Sequence, residues 1–252
     1  MSDQMSILQT RGLGFDYGKF RAVGDVSISV QPNTLQALIG PNGAGKTTFF
    51  NIVSGRLPRS RGAIFFEGRD ISGSPGHERV KLGIARSFQI TSLFPESSVL
   101  LNLQIAAMGM EANRALHFWS RWSKEAERLV IVEEVLNQLE LKAIAHLPVG
   151  SLSSGTQRIV EIGMCLVSKP RLLMLDEPLA GLGLADVPRI AALLQQLKSH
   201  YTILLVEHNM RVVMGISDRI TVMFTGNVIA EGTPQEIREN VDVRRIYLGS
   251  TA

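Results

Sequence analysis

The run Gly40-Pro41-Asn42-Gly43-Ala44-Gly45-Lys46-Thr47-Thr48 carries the pattern G-x-x-x-x-G-K-[ST]. Each position suits a bound phosphate chain. Small residues let successive backbone N–H groups turn inward on the anion, and a side chain at Gly43 or Gly45 would obstruct them. Lys46 supplies a positive charge for the β- and γ-phosphates of a nucleotide, and the Thr47 hydroxyl is a ligand for Mg2+. A helix starting here directs its positive end at the same anion.

Two carboxylates, Asp176 and Glu177, follow the apolar run 172–175 and precede Pro178. There Asp176 would hold Mg2+, directly or through water, and Glu177 would orient or deprotonate an attacking water. A solvated turn is the plain alternative, since acids beside proline are common in turns; the phosphate loop weighs against it. His208, in Val206-Glu207-His208, follows a third apolar run, where an imidazole would reach the γ-phosphate and the water; a surface or packed histidine is the plain alternative. His77, His117, His146 and His200 have no such setting.

For these residues to meet, several strands must end on one side of a sheet. Residues 35–39 read as a short buried strand running into the loop, with a helix through Phe49, Phe50, Ile52 and Val53 closed by Gly55. Residues 171–175 and 202–206 read as buried strands, and the helix between them carries Ile190, Leu193, Leu194 and Leu197. Strand–helix–strand of this length favours a parallel sheet, whose ligands bind at the carboxyl ends of the strands. Residues 6–10, 26–30 and 64–67 read as strands of an antiparallel sheet, and 220–231 as a hairpin around Gly226-Asn227. Residues 96–147 change character: Leu103, Ile105, Ala106 and Ala107, then Leu129, Val132, Val135, Leu136 and Leu139, recur at helical spacing, which predicts a helical insert.

The chain has 252 residues, 45% hydrophobic, which suits one compound domain with an inserted lobe. Its net charge is +3, and its basic residues are spread; the densest groups, Arg56/Arg59/Arg61 and Arg244/Arg245, are short. No nucleic-acid partner is expected from that distribution. The single cysteine, Cys165, excludes an internal disulfide and sits in an apolar-periodic stretch that predicts a buried thiol. The first residues carry no secretory signal. No apolar run approaches the roughly 18 residues of a membrane span, so a membrane role must come through a partner.

Between the two nucleotide motifs stands Leu152-Ser153-Ser154-Gly155-Thr156-Gln157, which resembles the LSGGQ signature of ABC ATPases. The order phosphate loop, Gln89, signature, Asp176-Glu177, His208 is the ABC order, and the resemblance covers nearly the whole chain. It implies an α/β fold: a RecA-like P-loop NTPase core with an antiparallel β subdomain and an inserted α-helical subdomain. The expected division is 1–88 and 158–240 for the core with its β subdomain, 89–157 for the helical subdomain and 241–252 for a C-terminal tail. The resemblance implies ATP and Mg2+ as cofactors and ATP hydrolysis as the reaction. Lys46, Glu177 and His208 are then catalytic, and Thr47, Gln89 and Asp176 hold the metal. Residues 40–48 cradle the nucleotide. Gln89 matches the loop that senses Mg2+ and couples to the helical lobe. Tyr17, in Asp16-Tyr17-Gly18, matches the aromatic residue that stacks on adenine, with a packed tyrosine as the alternative. Such chains work in pairs, the signature of one closing on the nucleotide of the other, so Ser153 and Gly155 are expected at a γ-phosphate across the dimer interface.

A finer resemblance is to ATPases of branched-chain amino-acid importers. It rests on Ala85-Arg86-Ser87-Phe88-Gln89 with Leu93-Phe94, and on Val206-Glu207-His208-Asn209-Met210 with Val212-Val213-Met214. Ile229-Ala230-Glu231-Gly232-Thr233-Pro234 and Tyr247-Leu248-Gly249 add to it. It implies transmembrane permease subunits, a second ATPase subunit and, for an importer, a solute-binding protein as partners. The implied place is peripheral, on the cytoplasmic face of the inner (plasma) membrane. A short helix of the permease is expected beside residues 89–103, where Leu93 and Phe94 offer apolar contact. An ATPase of lipopolysaccharide-export type is the alternative, and a soluble ABC protein a further one, against which stand the single cassette and the missing heptad run. Two departures stand out. Ser154 and Thr156 replace a glycine and the glutamine of the signature, and Gly183 stands where the dimer-contact loop has Asp or Asn.

Overall fold

In the computed structural model, which describes residues 6–87, 93–109 and 121–248, β1 (Leu8–Tyr17) is the spine of an antiparallel sheet. It pairs with β2 (Phe20–Val26), β3 (Ser29–Val30) and β5 (Arg61–Phe66), and β5 continues to β6 (Arg69–Asp70). The strand expected over 26–30 is broken in the middle. The Thr10 hydroxyl donates to the Val26 carbonyl and accepts from the Ile28 amide, taking the place of ladder bonds there.

The second sheet has the order β11-β10-β4-β9-β8-β7 among the described residues. Its strands are β4 (Leu35–Ile39), β7 (Ile84–Arg86), β8 (Leu172–Asp176), β9 (Thr202–Val206), β10 (Arg219–Phe224) and β11 (Asn227–Gly232). All pairings are parallel except β10 with β11, the expected hairpin. β4, β8 and β9 are buried on both faces, which is why they read as unbroken apolar runs. Strand alternation divides their side chains between two cores. Leu172, Met174, Leu204 and Val206 face one; Leu173, Leu175, Ile203 and Leu205 face the other.

Helix α1 (Lys46–Val53) lies in the first core, between the two sheets, with Phe49, Phe50, Ile52 and Val53 fully buried. Its last turn is closed by Arg79 of α2 (Gly76–Lys81). That buried guanidinium donates to the carbonyls of Ile52 and Val53, both at 2.7 Å, and to that of Ser74 at 2.9 Å. The phosphate loop is therefore joined to a buried helix whose last turn is pinned by Arg79.

The second core belongs to the helical part. α3 (Val99–Gly109), α4 (Arg121–Gln138) and α5 (Ser154–Leu166) share it with α6 (Asp186–Leu197) and the far face of the parallel sheet. Leu103, Val132, Val135, Leu136 and Leu139 face inward there, as their spacing predicts. α5 runs unbroken across 157–158, so the signature segment and the core are linked by one rigid rod. The chain closes with α7 (Met210–Ile216), α8 (Pro234–Glu239) and α9 (Val241–Leu248). Ile237 and Val243 pack with Ala37, Ile39 and Val222, so α8 and α9 each place one side chain against the sheet. No helix among the described residues is long and apolar enough to cross a membrane.

Candidate functional site

Sheet register brings the phosphate loop, the acid pair and the histidine together. Leu38 pairs with Val206, and Val206 with Asp176. Gly40, Glu177 and His208 thus leave three adjacent parallel strands at one level, the carboxyl end where ligands of such sheets bind. Lys46 feels both carboxylates: burial lowers its pKa, and Glu177 and Asp176 oppose that shift. The buried Lys46 ammonium donates to the carbonyls of Gly40 at 2.8 Å and Pro41 at 3.0 Å.

The loop is held from outside. The Gly226 amide donates to the Ala44 carbonyl, and the Gly226 carbonyl accepts from the Gly24 amide. Gly45 has φ +97°, and a Cβ there would stand 2.3 Å from the Ala22 carbonyl oxygen, so only glycine fits. No side chain caps α1, and its first amides are left to a ligand. Asn42 and Gly43 are exposed, Pro41, Thr47 and Thr48 half-buried, and Ala44 buried.

Asp176 is buried. Its Oδ2 is 2.9 Å from a guanidinium nitrogen of Arg86, whose side chain is 6% exposed, and its amide donates to the Ser87 hydroxyl. Burial raises the Asp176 pKa and lowers that of Arg86, and in each case desolvation outweighs the attraction between them. Arg86 also donates to Asn51 Oδ1 at 2.7 Å and the Ser54 hydroxyl at 3.0 Å, tying the acid to α1. The other oxygen, Asp176 Oδ1, is buried and has no hydrogen-bond partner among the described residues.

Glu177 holds φ +52°, an uncommon conformation for a non-glycine residue, with its amide donating to the Val206 carbonyl at 2.9 Å. Its Oε1 lies 2.7 Å from His208 Nε2. Both side chains are about two-fifths exposed, at 38% and 42%. The residue between the third strand and that histidine, Glu207, is buried and accepts three backbone N–H groups. They come from Leu179 at 2.8 Å, His208 at 2.9 Å and Asn209 at 3.3 Å.

The signature stands at the start of α5. Ser153 is its N-cap, accepting from the Thr156 amide at 3.3 Å. Gly155 is packed on α6: a Cβ there would meet Asp186 Oδ1 at 2.3 Å. The hydroxyl of Thr156 accepts from Arg189 at 3.2 Å. Tyr17 is half exposed and edge-on to Phe15, at the tip of the β1–β2 hairpin, opposite Phe20. It is therefore not a core tyrosine. Gln89 lies outside the described residues. Leu93 packs on the helical core, while Phe94 is half exposed and pinned by Asn102, which bonds its amide and its carbonyl. Arg86 and Glu207 were not singled out from the sequence. A lone Arg and a lone Glu carry no spacing signal, and Arg86 bonds Asp176 across 90 residues while Glu207 bonds Leu179 across 28.

Residues 23–180 match the family model for ABC transporters, and residues 227–252 match one described as branched-chain amino acid ATP-binding cassette transporter. The chain is 38% identical over 252 residues to the high-affinity branched-chain amino acid transport ATP-binding protein BraF of Pseudomonas aeruginosa, covering 96% of this chain and 98% of that one. It is 39% identical to LivG of Escherichia coli K12, of the same description, with the same coverage. A solved nucleotide-free ATP-binding cassette from an ABC transporter superposes with a TM-score of 0.85 at 33% identity, over 96% of this chain and 99% of that one. An ADP conformation of such a cassette superposes with a TM-score of 0.85 at 32% identity, over 97% and 99%. A family match across more than half of the chain, full-length relatives at 38–39% identity and a shared cassette fold give one conclusion: the chain belongs to the ABC transporter family, as an ATP-hydrolysing cassette of the branch that holds the branched-chain amino acid transport ATP-binding proteins.

Proposed function

We propose that this cassette powers the import of branched-chain amino acids through a pair of transmembrane permease subunits. The observation that carries the chemistry is the meeting of Lys46, Asp176, Glu177 and His208 at the ends of adjacent parallel strands. Lys46 and the amides of residues 43–47 stabilise the charge of the transferred phosphoryl group. Glu177 takes the proton of the attacking water, and His208 orients Glu177 through the bond between them.

The residues present fit Mg2+. Its chemistry there is to neutralise phosphate charge, and Thr47, Asp176 and Gln89 would hold it. The unpartnered buried oxygen of Asp176 supports this, because a buried acceptor without a donor is costly unless a ligand completes it. Tyr17, exposed at its hairpin tip, would stack on adenine. Ser153 and Gly155, at the open start of α5, would meet the γ-phosphate bound by a second ATPase subunit. Half-exposed Phe94 and its neighbours would receive the permease on the cytoplasmic face of the membrane. A solute-binding protein would deliver the cargo from the other side.

The test is uptake of radiolabelled leucine, isoleucine and valine in cells lacking this gene. Uptake should fall, and return with the wild-type chain but not with Glu177→Gln. Unchanged uptake of all three removes the cargo assignment.

A further inference from the structure

Glu207 is a buried carboxylate with no ion-pair partner among the described residues. An acid in that position is costly unless its oxygens are satisfied. Here the donors are backbone amides on two different loops. Oε1 takes the Leu179 amide, two residues past Glu177; Oε2 takes the amides of His208 and Asn209. Asn209 is in turn the N-cap of α7, accepting from the Val212 amide. One side chain therefore clasps the loop that carries Glu177 to the loop that carries His208.

Beyond the strand pairing that ends at Asp176 and Val206 and the Glu177 amide bond to the Val206 carbonyl, the two loops meet through the Glu177 and His208 side chains. The Glu177–His208 contact is made by side chains that are about two-fifths exposed, where water competes for the bond. Glu177 is also held at an uncommon φ, which persists only where the surroundings over-determine it. Its own amide bond to Val206 fixes one end of the turn, and the Leu179 bond to Glu207 fixes the other.

We propose that Glu207 is the positioning residue of this site, a carboxylate clasp that sets the Glu177–His208 geometry through backbone amides while touching neither nucleotide nor water. This rests on the reading that Glu177 and His208 handle the attacking water. The same clasp joins Leu179, which leads into the largely exposed segment 180–184, to the loop that carries the histidine.

The chemistry dictates the test. Glu207→Gln keeps the size but has one acceptor oxygen, and its NH2 must face an N–H on one of the two loops. The purified full chain with this change should bind Mg-ATP with unchanged half-saturation and lose about 10- to 10²-fold in kcat, the cost of misplacing catalytic groups. The same change in a His208→Ala background should cost little further, because groups acting as one unit are non-additive. A merely structural role would instead lower Tm and cost the same factor in both backgrounds, and that result overturns the proposal. Glu177→Gln runs beside it. Wild-type turnover in Glu177→Gln overturns the underlying reading. A stalled Glu177→Gln together with wild-type kcat in Glu207→Gln overturns the clasp alone. Should Glu207→Gln fail to fold, amide exchange on the wild-type chain decides: protected Leu179, His208 and Asn209 amides support the clasp, and unprotected ones overturn it.

Discussion

His208 Nε2 stands 2.7 Å from Glu177 Oε1, joining the loops that follow two neighbouring strands of the parallel sheet. A neutral amide at 177 keeps the shape of this contact and removes the proton acceptor. Glu177→Gln should therefore still bind ATP, while turnover slows by about 10²-fold or more. ATP-trapped dimers should accumulate, visible by size-exclusion chromatography in Mg-ATP. Steady-state ATPase at the wild-type rate would take Glu177 out of this role.

Lys46 donates to the Gly40 and Pro41 carbonyls, bonds that link the first turn of α1 to the start of its own loop. Its charge is also what the two acids across the site attract. Lys46→Ala removes the one buried cation facing the phosphates from this loop. Productive nucleotide binding should be abolished, read by equilibrium titration with a fluorescent ATP analogue. An unchanged ATPase rate would contradict the loop assignment.

The Arg86–Asp176 pair is buried on both sides, so breaking it leaves a charge with nothing to balance it. Arg86→Leu should destabilise the chain by about 3–5 kcal/mol near neutral pH, measured by urea unfolding. The pH dependence follows from direction. Burial raises the folded Asp176 pKa, and Arg86 holds that rise in check. Without Arg86 the folded state keeps its proton to still higher pH than an unfolded carboxylate, which releases it near about 3.9. The folded state then binds more protons across that window, and stability falls as pH rises through it. The deficit of the variant should therefore shrink on acidification from pH 7 towards the carboxylate range. A deficit independent of pH would show that the lost packing of Arg86 on Phe50, not its charge, sets the cost.

What the sequence made legible depends on how local each cause is. Residues 35–39 and 202–206 form strands with the expected bounds, because sheets covered on both faces select unbroken apolar runs. β7 and α2 went unread: three residues and six residues are too short for a period to show. The break at Ser27–Ile28 comes from one hydroxyl, Thr10, which bonds Val26 and Ile28, sixteen and eighteen residues away, and meets them only through folding. In the site, Lys46, Asp176, Glu177 and His208 were legible because each opens a helix or lies at or just past the end of an apolar strand, within a short pattern. Arg86 and Glu207 were not, because each acts through loops brought near by the sheet.

Cys165 gives a prediction at the alkaline end of the pH range. Its thiol is buried in the helical core, and burial, with the Glu161 charge nearby, pushes its pKa up to about 12. The thiolate is the reactive form, so the folded chain should resist Ellman's reagent at about pH 8 and be labelled only on unfolding. An unfolded thiol loses its proton near about pH 8.5. Between that value and about 12 the folded state holds one more proton than the unfolded state, so stability falls as pH rises. Cys165→Ala removes this contribution, and its urea midpoint should fall less than that of the wild type between about pH 8.5 and 10.5. Parallel slopes for the two proteins, or labelling of the native chain at the rate of a free thiol, would show that the thiol is reached by solvent.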